Sequence, residues 1–134
     1  MVAIELERHP AQERFVADRN TETAFVGGVG SGKTLAGVVR AAAHVFDWNP
    51  GETGVIVSPT VPMLRNVIVP LLREHGLVEG EGIEYKRSEN RIEYANGSTI
   101  ILESANNDRK IERLRAMNLA WAWMDEAAYQ AAKV

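Results

Sequence analysis

Residues 27 to 34 read Gly27-Gly28-Val29-Gly30-Ser31-Gly32-Lys33-Thr34. Four glycines in six positions disfavour helix or strand interiors, so the backbone must turn here. The spacing satisfies G-x-x-x-x-G-K-[ST] without a mismatch. Upstream, Thr23, Ala24, Phe25 and Val26 form a short, largely apolar run that reads as a buried strand. Downstream, Leu35, Val38, Val39, Ala42, Val45 and Phe46 recur at spacings of three and four, which predicts a helix over 33–46. A glycine loop between strand and helix points backbone N–H groups into a concavity, and the positive end of the helix faces the same space. That arrangement suits a polyphosphate. Lys33 would reach the β- and γ-phosphates and the Thr34 hydroxyl would coordinate Mg²⁺. A merely flexible glycine turn needs neither the flanking elements nor the Lys-Thr pair.

Other segments fit an alternating α/β order. Residues 11–19 read as a short helix with Phe15 and Val16 on its apolar side. Val55, Ile56 and Val57 mark a second buried strand over 54–58, and Pro59, Thr60 and Pro62 open another helix. Pro70 is expected to kink or divide that helix. Arg91 to Tyr94 alternates, Asn96-Gly97 follows, and Thr99 to Leu102 continues, which predicts a hairpin. Residues 106–110 are polar and read as a loop, and 120–124 as the last strand. The order strand, helix, strand, helix, hairpin, strand favours a sheet with helices on its faces.

Composition narrows the chemistry. No cysteine is present, which excludes disulfide scaffolds, cysteine zinc sites and a thiol nucleophile. Fifteen basic and 18 acidic residues give a net charge of −3, so no whole-chain basic field exists to hold DNA. His9, His44 and His75 lack ligand spacing and read as surface or hydrogen-bonded residues. No apolar run approaches the roughly 20 residues that span a bilayer, so no membrane partner is expected. Arg87, Arg91, Arg109, Lys110 and Arg113 could touch phosphates, but Glu84, Glu89, Glu93 and Glu112 dilute their charge, and a solvated face is the simpler reading.

Trp121-Ala122-Trp123-Met124 is an apolar run that ends in Asp125-Glu126. Carboxylates also favour the first turn of a helix, so the pair alone is ambiguous. With the glycine loop upstream, Asp125 fits an acid in the Mg²⁺ shell, and Glu126 fits a base that polarises the attacking water. Neighbouring residues on a strand face opposite ways, so their roles should differ. The expected fold is α/β, a P-loop NTPase of the RecA/ASCE kind. Its sheet is mostly parallel, flanked by helices, with an inserted β-hairpin.

From His9 to Tyr129 the sequence resembles the ATPase domain of tailed-phage large terminase subunits. The resemblance rests on His9-Pro10-Ala11-Gln12, the loop of 27–34, Ser58-Pro59-Thr60, Asn96-Gly97-Ser98, and the stretch of 114–127 that runs from Leu114-Arg115-Ala116 to Asp125-Glu126-Ala127. It implies ATP and Mg²⁺ as cofactors and ATP hydrolysis that drives viral DNA packaging. By the same resemblance Gln12 would read the adenine base, Arg115 would act as a finger on a neighbouring subunit's ATP, and Ser58-Pro59-Thr60 would couple nucleotide state to DNA. The implied partners are double-stranded DNA, other terminase subunits in a ring, the portal and the small terminase. The implied location is the cytoplasm of the host cell.

Two departures stand out. Many terminases place an arginine inside the glycine loop, where this chain has Val29, and the usual Leu-Arg-Gly is Leu-Arg-Ala through Ala116. The family also continues past Asp-Glu with further strands and a nuclease domain. Residues 1–134 are therefore expected to be the N-terminal part of a P-loop ATPase domain, without the nuclease, with an incomplete sheet and an open edge at 23–26. A chain of that kind should be marginally stable or self-associating. Two other readings stay open: a helicase- or recombination-type DNA-dependent ATPase, and a nucleotide-binding fragment without turnover.

Overall fold

The computed structural model describes residues 33–106 and 108–125. The helix expected at 11–19 and the strand at 23–26 lie outside them. Helix α1 spans Lys33–Ala43 and runs on into a π-turn at His44–Trp48. Strand β1 is Thr53–Ser58. Helix α2 runs from Val61 to Glu74 in three stretches, with an α-helical Val61–Met63, a π-helical Leu64–Ile68 and an α-helical Val69–Glu74. Strands β2, Ile83–Lys86, β3, Arg91–Tyr94, and β4, Thr99–Ser104, follow. Helix α3, Asp108–Arg115, leads to strand β5, Trp121–Met124.

Among the described residues the strands form one mixed sheet in the order β2-β3-β4-β1-β5. β1 lies between β4 and β5 and is parallel to both, while β2-β3 and β3-β4 are antiparallel. The hairpin expected around Asn96-Gly97 is present, but it is not a separate insertion. Its second strand, β4, pairs with β1 along its whole length, from Thr53↔Thr99 to Ser58↔Ser104. Gly54 to Ser58 are all buried, as expected of a parallel strand covered on both faces.

Alternation along the strands divides the core in two. Ile56, Ile100, Leu102, Trp121 and Trp123 face α1 and α2, where Val38, Ala41, Leu64, Ile68 and Leu72 meet them. Val55, Val57 and Ile101 face the other way, against Ala105, Leu114 and Leu119. Each Ile or Leu fully buried in the first cluster contributes roughly 1.5–3 kcal/mol, so that face dominates the packing.

Helix α2 begins as the sequence predicts. The Thr60 hydroxyl accepts the Met63 N–H at 3.2 Å, with Pro62 in the first turn. The division expected at Pro70 takes the form of a change in hydrogen bonding. The Val69 N–H reaches back five residues to the Leu64 carbonyl, and this wider turn accommodates a ring that has no N–H and crowds the carbonyl four residues earlier.

One expectation is corrected, and one strand is added. Residues 106–110 are not simply a loop, because α3 starts at Asp108. Its run of charge hides a narrow apolar stripe, Ile111 and Leu114, three residues apart. β2 was unassigned from sequence. Its Ile83/Tyr85 alternation with Glu84/Lys86 is short and only half-buried. The basic residue Arg91 is held by Glu89 at 3.3 Å and Glu93 at 3.2 Å, and Lys86 by Glu93 at 2.9 Å, so this part of the hairpin is a paired, solvated face.

The end of the sheet where β1 and β4 begin is fastened by the Asn96-Gly97-Ser98 turn. Gly97 takes φ +90°, the left-handed backbone that favours glycine. The buried Ser98 hydroxyl accepts the Gly51 N–H at 2.8 Å and donates to the Val45 carbonyl at 2.9 Å. Asn96 Nδ2 donates to the same carbonyl at 2.9 Å. These bonds satisfy a carbonyl at the π-turn, where the regular helical ladder ends. Tyr94 donates to the Leu77 carbonyl at 2.7 Å, and burial pushes its phenol well above the ordinary tyrosine range. Ser98→Ala strands the Gly51 N–H and should cost about 1–3 kcal/mol by urea denaturation with an unchanged m-value. A loss below about 0.3 kcal/mol would contradict the fastening role of this hydroxyl.

Candidate functional site

The first question is where the start of α1 sits relative to the strands. Gly37 on α1 lies directly under the Trp123 indole, and a Cβ at that position would overlap Cε2 and Cζ2 of the ring. Seven residues further along the same helix, the His44 ring stacks on Trp121, with centroids 5.1 Å apart and planes 11° apart. Moving forward along α1 therefore moves backward along β5, so the two elements run antiparallel. One turn of helix rises about 5.4 Å and two strand residues about 6.6 Å. Thr34, three residues before Gly37, thus lies toward the Asp125 end of β5. The start of α1, with Lys33 and Thr34, and the carboxyl end of β5 share one edge of the sheet.

That edge collects buried polar groups. Among the described residues the buried polar or charged side chains are Ser58, Ser98, Glu103, Ser104 and Asp125. All except Ser98 stand at the carboxyl ends of the parallel strands. Ser58 ends β1 opposite Ser104 on β4, and the Asp125 N–H donates to the Val57 carbonyl at 2.9 Å, which extends the β1-β5 ladder by one step. Ser104, Ser58 and Asp125 each lie two residues past a side chain of the α1-facing core, Leu102, Ile56 and Trp123. Alternation therefore places the three in a row on the face that carries α1. In open α/β sheets the crevice outside the carboxyl ends of the strands is where ligands bind.

The members of the row differ in how they are satisfied. The Ser104 hydroxyl donates to Asn106 Oδ1 at 2.6 Å. The Ser58 carbonyl accepts the Ala105 N–H at 2.8 Å, but the Ser58 hydroxyl is fully buried and has no hydrogen-bond partner among the described residues. Glu103 lies on the opposite face, and its carboxylate accepts the Ser104 N–H at 3.2 Å.

Of the site residues expected from sequence, Thr34 and Asp125 are placed at this edge, Thr34 half-buried and Asp125 buried. Lys33 is placed by its backbone at the first position of α1. Gln12, the loop residues Gly27, Gly28, Val29, Gly30, Ser31 and Gly32, and Glu126 lie outside the described residues. Arg115 is placed by its backbone at the end of α3, whose Leu114 packs on the sheet face away from α1. The turn after it closes through Ala116 N–H to Arg113 O and Met117 N–H to Leu114 O, both 3.1 Å. Ala116 is not among the positive-φ residues, so alanine is unstrained there. His44 is hydrogen-bonded to Asn49 through Nδ1 at 2.7 Å, as a packed rather than a ligating histidine would be. Sequence reasoning did not assign Glu103 and Ser104 to the site, although Ile100-Ile101-Leu102-Glu103 repeats the signal used for Asp125, an apolar strand that ends in a carboxylate.

These features define an α/β protein with buried polar side chains gathered at the carboxyl ends of its parallel strands. A family model described as terminase large subunit, T4likevirus-type, N-terminal, matches residues 24–133, and the chain belongs to that family. Two solved structures share the fold. The large terminase ATPase domain of Thermus phage P74-26 superposes with a TM-score of 0.69 at 22% identity, over 92% of this chain and 55% of that one. The large terminase of a thermophilic bacteriophage superposes with a TM-score of 0.72 at 15% identity, over 96% of this chain and 36% of that one. The chain thus spans about half the length of the first and about a third of the second. No curated protein matches its sequence. Among the described residues no helix is long and apolar enough to cross a membrane.

The Gly37 contact makes this geometry testable. In an exposed helix Gly→Ala stabilises by about 0.5–1 kcal/mol. Here the added methyl meets the Trp123 ring, and overpacking should reverse the sign, with Gly37→Ala destabilising by about 1–3 kcal/mol. A melting temperature at or above wild type would show that α1 does not pack on Trp123 this closely.

Proposed function

We propose that the chain is the nucleotide-binding and ATP-hydrolysing part of a viral DNA-packaging motor, the N-terminal part of a P-loop ATPase domain. The observation that carries this reading is the antiparallel run of α1 along β5, which turns the start of α1, with Lys33 and Thr34, toward the Asp125 end of that strand. A hydroxyl and a carboxylate at one edge are hard oxygen donors of the kind Mg²⁺ takes. Bound Mg²⁺ would neutralise charge on the terminal phosphates.

In this proposal the amides of Gly27 to Gly32 and the Lys33 ammonium hold the phosphates, and Gln12 pairs with the adenine edge. Thr34 and Asp125 hold the cation. Glu126, one residue beyond Asp125, takes a proton from the attacking water. The position of Arg115 on an element packed against the far sheet face supports action on a neighbouring copy's nucleotide rather than on its own. That role calls for a ring of subunits. Double-stranded DNA, the portal and the small terminase are partners of the whole motor under this reading, in the cytoplasm of a phage's host.

The test is a thermal melt of the chain with Mg-ATP. A ligand that binds only the folded state stabilises it by about 2.7 kcal/mol at one hundred times its Kd. Wild type should rise in melting temperature and release phosphate, and Lys33→Ala should lose both. An unchanged rise in Lys33→Ala, or no rise in wild type, would contradict the assignment. A rise without phosphate release would reduce it to nucleotide binding.

A further inference from the structure

Among the buried polar groups at the carboxyl ends of the strands, the Ser58 hydroxyl is one that the proposed chemistry leaves unused. It is fully buried, lacks a partner among the described residues, and stands in the same face row as Asp125 and Ser104. Burying a hydroxyl without a hydrogen bond is destabilising. Its neighbour Ser104, in an equivalent strand position, is satisfied by Asn106. The cost at Ser58 is offset if a ligand completes the bond.

We propose that Ser58 is a positioning residue for the cation site, resting on the nucleotide reading above. Mg²⁺ gives up its waters reluctantly and keeps several when bound by one or two protein ligands. Such waters direct their protons outward. With the cation bound, the Ser58 oxygen would accept one of those protons and its own O–H would donate to the Asp125 carboxylate. Such a bridge would orient Asp125 and fix one water of the cation's shell. Outer-shell partners of this kind typically contribute 10- to 100-fold in metal affinity. The row position also gives Ser58-Pro59-Thr60 a physical link to the nucleotide, because the residue that senses the cation directly precedes the Thr60 cap of α2.

The thermodynamic signature has opposite signs in the empty and loaded protein. Without ligand, Ser58→Ala removes an unpartnered buried hydroxyl and should melt at or above the wild-type temperature. With ADP present, Mn²⁺ binding followed by the loss of the free-ion electron paramagnetic resonance signal should weaken about tenfold. Nucleotide affinity measured in EDTA should not change. Ser104→Ala is the paired control. The Ser104 hydroxyl already has a partner in Asn106, so this variant should not melt above wild type and should leave Mn²⁺ affinity unchanged.

A lower melting temperature for ligand-free Ser58→Ala would overturn the proposal by showing that the hydroxyl serves the fold. Unchanged Mn²⁺ affinity in Ser58→Ala, with binding present in wild type and absent in Lys33→Ala, would overturn this proposal alone. Absence of Mn²⁺-nucleotide binding in wild type would overturn it together with the nucleotide reading.

Discussion

The close approach of Gly37 to Trp123 sets the rest of the arrangement. A helix reaches a sheet this closely only where a residue without a side chain meets a flat ring. With His44 stacked on Trp121 as the second point, two contacts fix both the position and the direction of α1. Gly54 applies the same device within the sheet, since a Cβ there would overlap the Trp121 indole. Two tryptophans two residues apart on β5 thus act as the seat of the helix. The start of α1 is thereby turned toward the end of β5.

The two ends of the parallel strands are built differently. Where β1 and β4 begin, Asn96 and Ser98 bind the Val45 carbonyl and Gly51, and the polar groups are mutually satisfied. At the carboxyl ends, Ser58 keeps a buried hydroxyl without a partner among the described residues. The contrast follows a general division in open α/β sheets, in which one end closes the fold and the other receives ligand. Burial at the second end also lowers the effective dielectric around Asp125, which strengthens any interaction the carboxylate makes with a cation.

Much of this was legible in the sequence, for reasons that can be named. The apolar block at 54–58 and the Asn96-Gly97 punctuation carry local signals, and β1 and the β3-β4 hairpin formed where those signals lie. Asp125 stands out in the sequence because it ends an apolar run, and it is buried just beyond β5. α3 was hidden because Arg109, Lys110, Glu112 and Arg113 leave only Ile111 and Leu114 as its apolar stripe. β2 was hidden because a half-buried edge strand of four residues carries little pattern. The Ser104-Ser58-Asp125 row could not be read at all. It depends on which strands become parallel neighbours and in what register, and long-range pairing decides that rather than local propensity. The loop from Gly27 to Gly32, Gln12 and Glu126 are assigned from motif and resemblance alone.

The central claim is that the start of α1 and the carboxyl ends of β1 and β5 form one cation-nucleotide site. Paramagnetic broadening of backbone amide resonances by Mn²⁺ in the presence of ADP tests it most directly. The account predicts strong broadening at Thr34, Ser58 and Asp125, and sharp resonances at Asn96, Gly97 and Ser98, roughly 20 Å away at the other end of a six-residue strand. Broadening centred on the Asn96-Ser98 turn, or spread evenly over the acidic surface, would contradict it.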